Sequence, residues 1–217
     1  MLILLPPSEK KRTPETGPAL DLSTLSFGIE LLETRSVLLK KHKELSLVTS
    51  GAAVTVYSGV LYQALDWLNL DAASVKRGQN SIVIISALFG ALRPLDLIPN
   101  YKLKISTSHW KVCISAALES LDSELIIDAR SSTYASVWTP PPSKTVAVRV
   151  YEIRNGEKKV ITHMSKKTRG EVARLLICEN RMPKTPEEVF EIVKKNYQCE
   201  LIAPANGKSW FIDVIAG

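Results

Sequence analysis

The sequence predicts an α/β (α+β) fold, because helical and strand-like segments alternate along the chain. One apolar, largely β-branched segment, Ile82 to Ser86, has the composition of a strand buried on both faces of a sheet. Two Asn-Gly dipeptides, at 155–156 and 206–207, favour the mirror-image turns that join antiparallel strands. We therefore expect a single compact domain over residues 1–217, with a mixed sheet, two hairpins and surrounding helices.

The elements of the first half are assigned from the spacing of their apolar residues and from the residues that bound them. Pro6 and Pro7 end the first strand, and Asp71 suits the N-cap position of a helix. Tyr57-Ser58-Gly59 is typical of a turn into a helix. The predicted elements are a strand at 2–5, a loop at 6–18, helices at about 24–45 and 60–68, a short helix after Asp71 and the strand at 82–86.

The second half is assigned in the same way. Ser108 is a good N-cap for a helix that ends near Asp122, and Thr185 followed by Pro186 is typical of a helix start. Ser131 or Ser132 suits the N-cap of a further short helix. The remaining predictions are a strand at 125–128, a hairpin of strands at 146–153 and 159–164, helices at 165–180 and 185–196, and a last hairpin of strands at 200–203 and 210–214.

Composition excludes several classes of protein. With 45% hydrophobic and 23% charged residues, the chain is neither disordered nor fibrous. Its apolar segments fall far short of the roughly 20 residues that a membrane-spanning helix requires. The apolar start is cut short by Pro6, and positive charges follow it, which is the reverse of a secretory signal. We expect a cytoplasmic protein without membrane association.

The cysteines and histidines indicate neither a disulfide framework nor a metal centre. Cys113, Cys178 and Cys199 are widely spaced and form no Cys-x-x-Cys pair. His109 and Cys113 lie four residues apart on a predicted helix, but two ligands are too few for a structural zinc site. We therefore expect no metal and no cofactor.

The positive charge is concentrated in one segment. The chain has a net charge of +6, and residues 144–184 alone contain eleven Lys and Arg residues against four Glu residues. Such clustering is typical of a surface that meets an anionic partner. The alternative is a solvated surface that happens to be basic.

Within that segment, cations crowd the start of the helix predicted at 165–180. Lys166, Lys167 and Arg169 would oppose the positive end of its macrodipole, and a bound phosphate would offset the cost. Lys167 and Arg174, two turns apart, would project together at a spacing that could follow a phosphodiester backbone. The alternative is a basic face neutralised by Glu157 or Glu171.

Polar and charged residues also follow three predicted strands. Ligands of open sheets bind beyond the carboxyl ends of the strands, so these residues are expected to converge in a basic, hydrogen-bonding cleft. They are Glu9 with Lys11, Arg93 with Asp96, and Asp128 with Arg130. Arg93 and Asp96 could instead pair with each other and lock a loop. Trp138, which lies beside the prolines at 140–142, is either core or an exposed platform for a base. The sequence contains no hydrolytic elbow, Walker loop or Rossmann glycine fingerprint.

Several motifs resemble those of the bacterial peroxide stress resistance protein YaaA family, over nearly the whole chain. They are Met1 to Pro7 with Lys11, Tyr57-Ser58-Gly59, Ser86 to Asp96 with Tyr101, Ser165 to Gly170, and Glu179-Asn180-Arg181. The chain departs from the family pattern at Ala87, where glycine is usual, at Phe89, and at 109–111 and 128–130. The resemblance implies a single α/β domain with a basic cleft and a helix-hairpin-helix-like element. It also implies cytoplasmic DNA binding and a role in limiting damage from peroxide and unincorporated iron.

These observations together predict a non-enzymatic protein that binds double-stranded DNA or another nucleic acid. Lys166, Lys167, Arg169 and Arg174 are expected to contact phosphates, and Arg93 and Lys11 to line the cleft. The rival hypothesis is an enzyme acting on a nucleotide or modified nucleobase. In that case Asp128 or Glu9 would serve as acid or base, and Lys167 and Arg169 would hold a phosphate.

Overall fold

The computed structural model describes residues 1–160 and 162–216. Ten strands are found in this part of the chain: β1 Leu2–Leu5, β2 Gly51–Ala52, β3 Ile82–Ser86, β4 Gly90–Leu92, β5 Leu97–Ile98, β6 Ile126–Asp128, β7 Thr145–Arg154, β8 Glu157–Val160, β9 Gln198–Ile202 and β10 Trp210–Ile215. The helices are α1 Gly28–Leu39, α2 Ala53–Val56, α3 Val60–Leu65, α4 Ala72–Ser81, α5 Thr107–Glu119, α6 Ser132–Ala135, α7 Thr162–Cys178 and α8 Pro186–Val193.

One mixed sheet organises the molecule. Its strands follow the order β4-β3-β1-β6-β7-β10-β9, and β8 pairs with β7 outside this path. Five strands run parallel to one another: β3, β1, β6, β7 and β10. Three further strands pair antiparallel with this set: β4 with β3, β8 with β7, and β9 with β10. The predicted fold class, a single mixed α/β domain with surrounding helices, is confirmed. The helix-hairpin-helix-like element stays a prediction.

The centre of the sheet is the core of the domain. Every residue of β1 and β3 is buried, as expected for parallel strands that are covered on both faces. The strand β1 lies between β3 and β6, with Leu4 opposite Val83 on one side and Asp128 on the other. The carboxyl ends of these three strands therefore meet at one edge of the sheet, called the carboxyl edge below.

Both predicted hairpins are confirmed. The pairs Asn155-Gly156 and Asn206-Gly207 have positive φ angles of 54°, 79°, 53° and 73°, which the mirror-image turn geometry requires at both central residues. The strands at 2–5 and 82–86 lie where they were predicted. Asp71 and Thr185 cap α4 and α8 by accepting hydrogen bonds from the backbone N–H groups of Ser74 and Glu188.

Three helix predictions need correction. The N-cap position of α5 is held by Ser106 and not by Ser108, which lies within the helix, and α5 ends at Glu119. The helix expected at about 24–45 is limited to α1, because Phe27 adopts a left-handed conformation before it and a separate 3₁₀ turn follows at Lys43–Leu47. The helix expected from Ser165 begins three residues earlier, at Thr162, so the strand predicted at 159–164 ends at Val160. Ile161, within that predicted strand, lies outside the described residues. Every helix in the described ranges is too short or too polar to traverse a bilayer.

Candidate functional site

The segment that follows β1 is fixed against the turn between α2 and α3. The Arg12 N–H donates to the Val56 carbonyl at 2.8 Å, and the Ser58 N–H donates to the Lys10 carbonyl at 3.0 Å. The Ser8 hydroxyl accepts a hydrogen bond of 2.9 Å from the Gly59 N–H. Residues 8–12 thus lie at the carboxyl edge, as the sequence predicted, with little freedom in their backbone.

A group of tyrosines lies beneath this segment. The Tyr101 hydroxyl is hydrogen-bonded to the hydroxyls of Tyr57 and Ser86, each at 2.8 Å, and the Ser86 oxygen also accepts a bond from the Phe89 N–H. The Tyr62 hydroxyl donates to the Pro6 carbonyl at 2.8 Å. Burial raises the pKa of Tyr57, Tyr62 and Tyr101. This part of the carboxyl edge is therefore built from neutral phenols whose hydroxyls hold each other.

Lys11 extends over these rings. Its Nζ lies 4.3 Å from the ring centroid of Tyr101 and 5.7 Å from that of Tyr57. The side chain is half-buried, and burial lowers the pKa of Lys11, while the nearby Glu9 carboxylate opposes the shift. Within the described ranges, the Nζ atom makes no hydrogen bond and no ion pair, so an aromatic face is its principal neighbour.

Asp128 and Arg130, at the end of β6, pair with each other. Arg130 donates from Nε and Nη2 to the two carboxylate oxygens of Asp128 at 2.9 and 2.7 Å, and Nη2 also donates to the Trp138 carbonyl. Trp138 is itself only 3% exposed, so it belongs to the core and is not a platform for a base. The Asp128–Arg130 pair fixes the loop after β6, and α6 follows with Ser131 at its N-cap position.

Lys166, Lys167 and Arg169 lie in the second turn of α7, not in its first. Because the helix begins at Thr162, the expected opposition between these cations and the end of the macrodipole is weaker than the sequence suggested. Lys166 and Lys167 are exposed, and Lys167 Nζ lies 3.5 Å from a carboxylate oxygen of Glu171. This ion pair is the neutralising contact that the sequence left open as an alternative.

Arg169, in the same turn, is more enclosed than Lys166 and Lys167. Its Nε is buried and has no hydrogen-bond partner among the described residues. Burial lowers the pKa of Arg169, and the Asp128 carboxylate opposes the shift. Arg169 therefore lies within electrostatic reach of the end of β6, which brings α7 to the carboxyl edge.

Two of the residues predicted to bind nucleic acid, Arg174 and Arg93, donate to backbone carbonyls instead. Arg174 Nη1 donates to the carbonyls of Leu65 and Asp66 at 2.8 and 2.6 Å, and so caps the carboxyl end of α3. Arg93 Nη1 donates to the carbonyls of Asn80 and Ile82 at 3.0 and 3.1 Å.

The position of Arg93 corrects the prediction made for it. Ile82 begins β3, so the Arg93 guanidinium lies at the opposite edge of the sheet from Lys11. The physical reason is that β4 returns antiparallel to β3 and carries the chain back across the sheet. Asp96 does lock this loop, but it accepts its hydrogen bond from the backbone N–H of Arg93 rather than from the guanidinium.

The packing of α7 on α3 sets which basic residues become neighbours. A Cβ atom at Gly170 would lie 2.1 Å from the Leu61 carbonyl oxygen, so the two backbones are in direct contact there. Arg174, one turn later, reaches Leu65, and the two helices therefore run parallel in register. Residues 57–59, to which residues 8–12 are bonded, directly precede α3, and Lys166 and Lys167 lie about one turn before Gly170. Both segments therefore lie towards the amino-terminal ends of these two parallel helices. We call residues 10–12 and 166–169 together the basic surface.

Sequence reasoning missed Arg35. Its buried guanidinium donates to the carbonyls of Ser26, Phe89 and Ala91 at 2.7 to 2.9 Å, and so ties α1 to the turn between β3 and β4. Burial lowers the pKa of Arg35 to about 10, against the opposing effect of Asp96. Its spacing to Leu31 and Leu38, the buried residues of α1, was the available signal, because it places Arg35 on the same helix face.

Comparison with known proteins gives a consistent result. The model of the family described as "Peroxide stress protein YaaA" matches residues 1–201. The chain is 34% identical to the UPF0246 protein SCO2297 of Streptomyces coelicolor, over 99% of this chain and 98% of that protein. It is 36% identical to the UPF0246 protein CE1889 of Corynebacterium efficiens and 32% identical to a UPF0246 protein of Corynebacterium glutamicum, in each case over 89% of this chain and 92% of the relative.

Proposed function

The chain belongs to the peroxide stress protein YaaA family, which supports a role in peroxide stress, and we propose that it fulfils this role by binding the backbone of nucleic acid. The partner is double-stranded DNA or another nucleic acid, bound in the cytoplasm at the basic surface. Binding there would limit damage linked to hydrogen peroxide and free iron.

The observation that carries the proposal is the meeting of two basic segments that are distant in sequence. Lys10, Lys11 and Arg12 follow β1, and Arg169 of α7 lies within electrostatic reach of Asp128 at the end of the neighbouring strand β6. This supports a basic surface at the carboxyl edge to which Lys166 and Lys167 of α7 also contribute. Cations arranged along a surface neutralise successive phosphates without reading bases. Binding is therefore expected to be independent of sequence and strongly dependent on salt.

The positions of Arg93 and Arg174 favour a structural role for both. Each guanidinium is engaged by backbone carbonyls at a helix end, and a phosphate would have to displace those bonds. The proposed contacts are accordingly Lys11, Lys166, Lys167 and Arg169, while Arg93 and Arg174 hold α4 and α3 in place.

The salt dependence of duplex binding tests this proposal. Fluorescence anisotropy of a labelled duplex would be measured over a range of salt concentrations for the wild type and for Lys166→Ala/Lys167→Ala. Each lost phosphate contact reduces the slope of log affinity against log salt by about 0.9, so the double variant should lose about 1.8. Lys208→Ala is the matched control, because this exposed lysine precedes β10 at the edge of the sheet opposite the basic surface. A double variant with the wild-type slope would refute the assignment.

The rival enzyme hypothesis depends on the carboxylate of Glu9. Both carboxylate oxygens of Asp128 accept hydrogen bonds from Arg130. The Glu9 side chain is exposed, and its carboxylate acts electrostatically on Lys11. A carboxylate next to a partly desolvated amine is a pair able to exchange a proton. Retention of a small nucleotide by the purified protein, detected by mass spectrometry, would favour an enzyme over a binding protein.

A further inference from the structure

Lys11 differs from the other cations of the basic surface in its surroundings. The side chains of Lys166 and Lys167 are exposed, and a carboxylate lies near the Lys167 ammonium. Lys11 is half-buried, and its Nζ has neither a hydrogen-bond acceptor nor an ion-pair partner in the part of the chain that the structure describes. Phosphate binding alone does not require this environment, since exposed lysines contact phosphates equally well.

The position of the Lys11 amine is well defined. The backbone of residues 10–12 is bonded to residues 56–58, and Lys11 itself forms an antiparallel bridge with Tyr57. The ring beneath the amine belongs to Tyr101, whose hydroxyl is held by Tyr57 and Ser86 and whose ring meets Phe89 edge to face at 5.4 Å. The amine is thus held on a rigid surface at the carboxyl edge, where ligands of such sheets bind.

Two effects act on the protonation of this amine in opposite directions. The aromatic face and Glu9 favour the charged ammonium, whereas burial favours the neutral amine. Burial is the larger effect, and the pKa of Lys11 is lowered. More of the neutral form is therefore present near neutral pH than for an exposed lysine, and desolvation of this kind activates a lysine as a nucleophile.

We propose that Lys11 is a nucleophilic amine that forms a reversible imine with the open-chain aldehyde of an abasic sugar in nucleic acid. Oxidative loss of bases leaves such aldehydes in a strand, and an aldehyde is the electrophile that a neutral lysine amine captures without a cofactor. The inference rests on the proposed function, because the basic surface is what brings the damaged strand to the amine.

The covalent step balances without an external oxidant or reductant. The nitrogen lone pair of Lys11 attacks the aldehyde carbon, and the carbonyl electron pair moves to oxygen, which gives a carbinolamine. The carbon–oxygen bond then breaks as the nitrogen lone pair forms the carbon–nitrogen double bond, and both protons of the amine leave with the oxygen as water. Glu9, whose carboxylate acts electrostatically on the Lys11 amine, is the proposed group that accepts a proton from the nitrogen and returns it to the departing oxygen. Water reverses the step.

Borohydride trapping tests the inference. A duplex with one abasic site is incubated with the protein and sodium cyanoborohydride, and the adduct is resolved on a denaturing gel and mapped by peptide mass spectrometry. We expect the adduct at Lys11. Lys11→Arg keeps the positive charge but removes the nucleophile, so the adduct should be lost when each variant is compared at a protein concentration that saturates the duplex. The control Lys208→Ala should form the wild-type adduct.

The outcomes separate this inference from the proposed function. Binding of the abasic duplex without any adduct, or an adduct that survives Lys11→Arg, would overturn the inference and leave nucleic-acid binding intact. If the wild type binds no duplex, free 2-deoxyribose 5-phosphate serves as the aldehyde probe, and labelling spread evenly over the lysines would overturn the inference. A pH profile adds an independent readout, because trapping at Lys11 should reach half its maximum below the ordinary lysine pKa of 10.5.

Discussion

Replacing Gly170 by alanine tests the contact that brings α7 to the carboxyl edge. A Cβ atom at this position would lie 2.1 Å from the carbonyl oxygen of Leu61 and 3.1 Å from the Cβ of Ala64, whereas ordinary contacts begin at 3.4 Å. The closest obstacle is backbone, so rotation of a side chain cannot relieve the clash. The two helices must instead separate by more than 1 Å at their crossing, which exceeds the freedom of a close-packed interior.

The cost follows from two opposing contributions. Overpacking of a well-packed site costs about 1–3 kcal/mol, and the higher helix propensity of alanine returns about 1 kcal/mol. Because the obstacle is backbone at 2.1 Å, the overpacking cost lies at the upper end of that range, and the free energy of unfolding should fall by about 2 kcal/mol. Duplex affinity should fall as well, because the displacement of α7 moves Lys166 and Lys167 away from residues 10–12.

Urea unfolding followed by circular dichroism measures the first effect, and fluorescence anisotropy measures the second. Gly28→Ala is the matched control, since Gly28 also lies in a helix and a Cβ atom added there would meet no described neighbour within 4 Å. That variant should be neutral or stabilised by up to about 1 kcal/mol. Wild-type stability and affinity in Gly170→Ala would show that α3 and α7 do not pack as described.

Two further predictions concern buried polar groups. Arg35→Met removes three hydrogen bonds to the carbonyls of Ser26, Phe89 and Ala91, and at roughly 1–3 kcal/mol for each buried group left unsatisfied we expect a loss of at least about 3 kcal/mol in urea unfolding. A loss below about 1 kcal/mol would contradict the role given to Arg35. The second prediction is alkaline sensitivity: burial raises the pKa of Tyr134 to about 12, and Tyr57, Tyr62 and Tyr101 shift in the same direction. The unfolded chain releases these phenolic protons near pH 10, so stability is retained below pH 10 and falls as the pH rises towards 12. Tyrosinate absorbance should therefore rise at higher pH in the native protein than in urea, and coincident titration curves would refute the burial of these phenols.

The parts of the fold that the sequence predicts correctly are those specified locally. The bounds of β3 agree with the prediction to the residue, because a continuous β-branched segment encodes burial on both faces. Asp71, Thr185 and the two Asn-Gly turns are recognisable because each acts on its own neighbouring backbone. The predicted start of α7 is wrong by three residues: the helix begins at Thr162, within the segment that was assigned to a strand.

The arrangement of the site depends on pairings that no local pattern contains. The carboxyl-edge prediction succeeded for Lys11 and Asp128, which follow parallel strands. It failed for Arg93 because the chain reverses between β3 and β4, where Gly90 has a φ of 72° and packs against the Trp110 ring. The antiparallel return of β4 does not follow from composition or periodicity. Periodicity places Arg35 on the buried face of α1, but it does not indicate that Arg35 binds the carbonyls of this turn.

Charge in the sequence and charge available to a ligand are different quantities in this protein. Six cations were expected at the nucleic-acid site, four to contact phosphates and two to line the cleft, and they are equivalent in a count of residues. In the fold, the guanidinium groups of Arg93 and Arg174 donate hydrogen bonds to backbone carbonyls. Arg93 binds the carboxyl end of α4, and Arg174 binds that of α3. Lys11 and Arg169 are instead partly desolvated, which destabilises their charged forms. Among the described residues, Lys11 has no ion-pair partner and Arg169 Nε has no hydrogen-bond acceptor, so this cost is offset only in part. A bound anion would remove that cost, whereas it would gain little from a cation that already has partners. Under the proposed function, the partly buried and incompletely paired cations Lys11 and Arg169 are therefore a better guide to the binding surface than the density of basic residues.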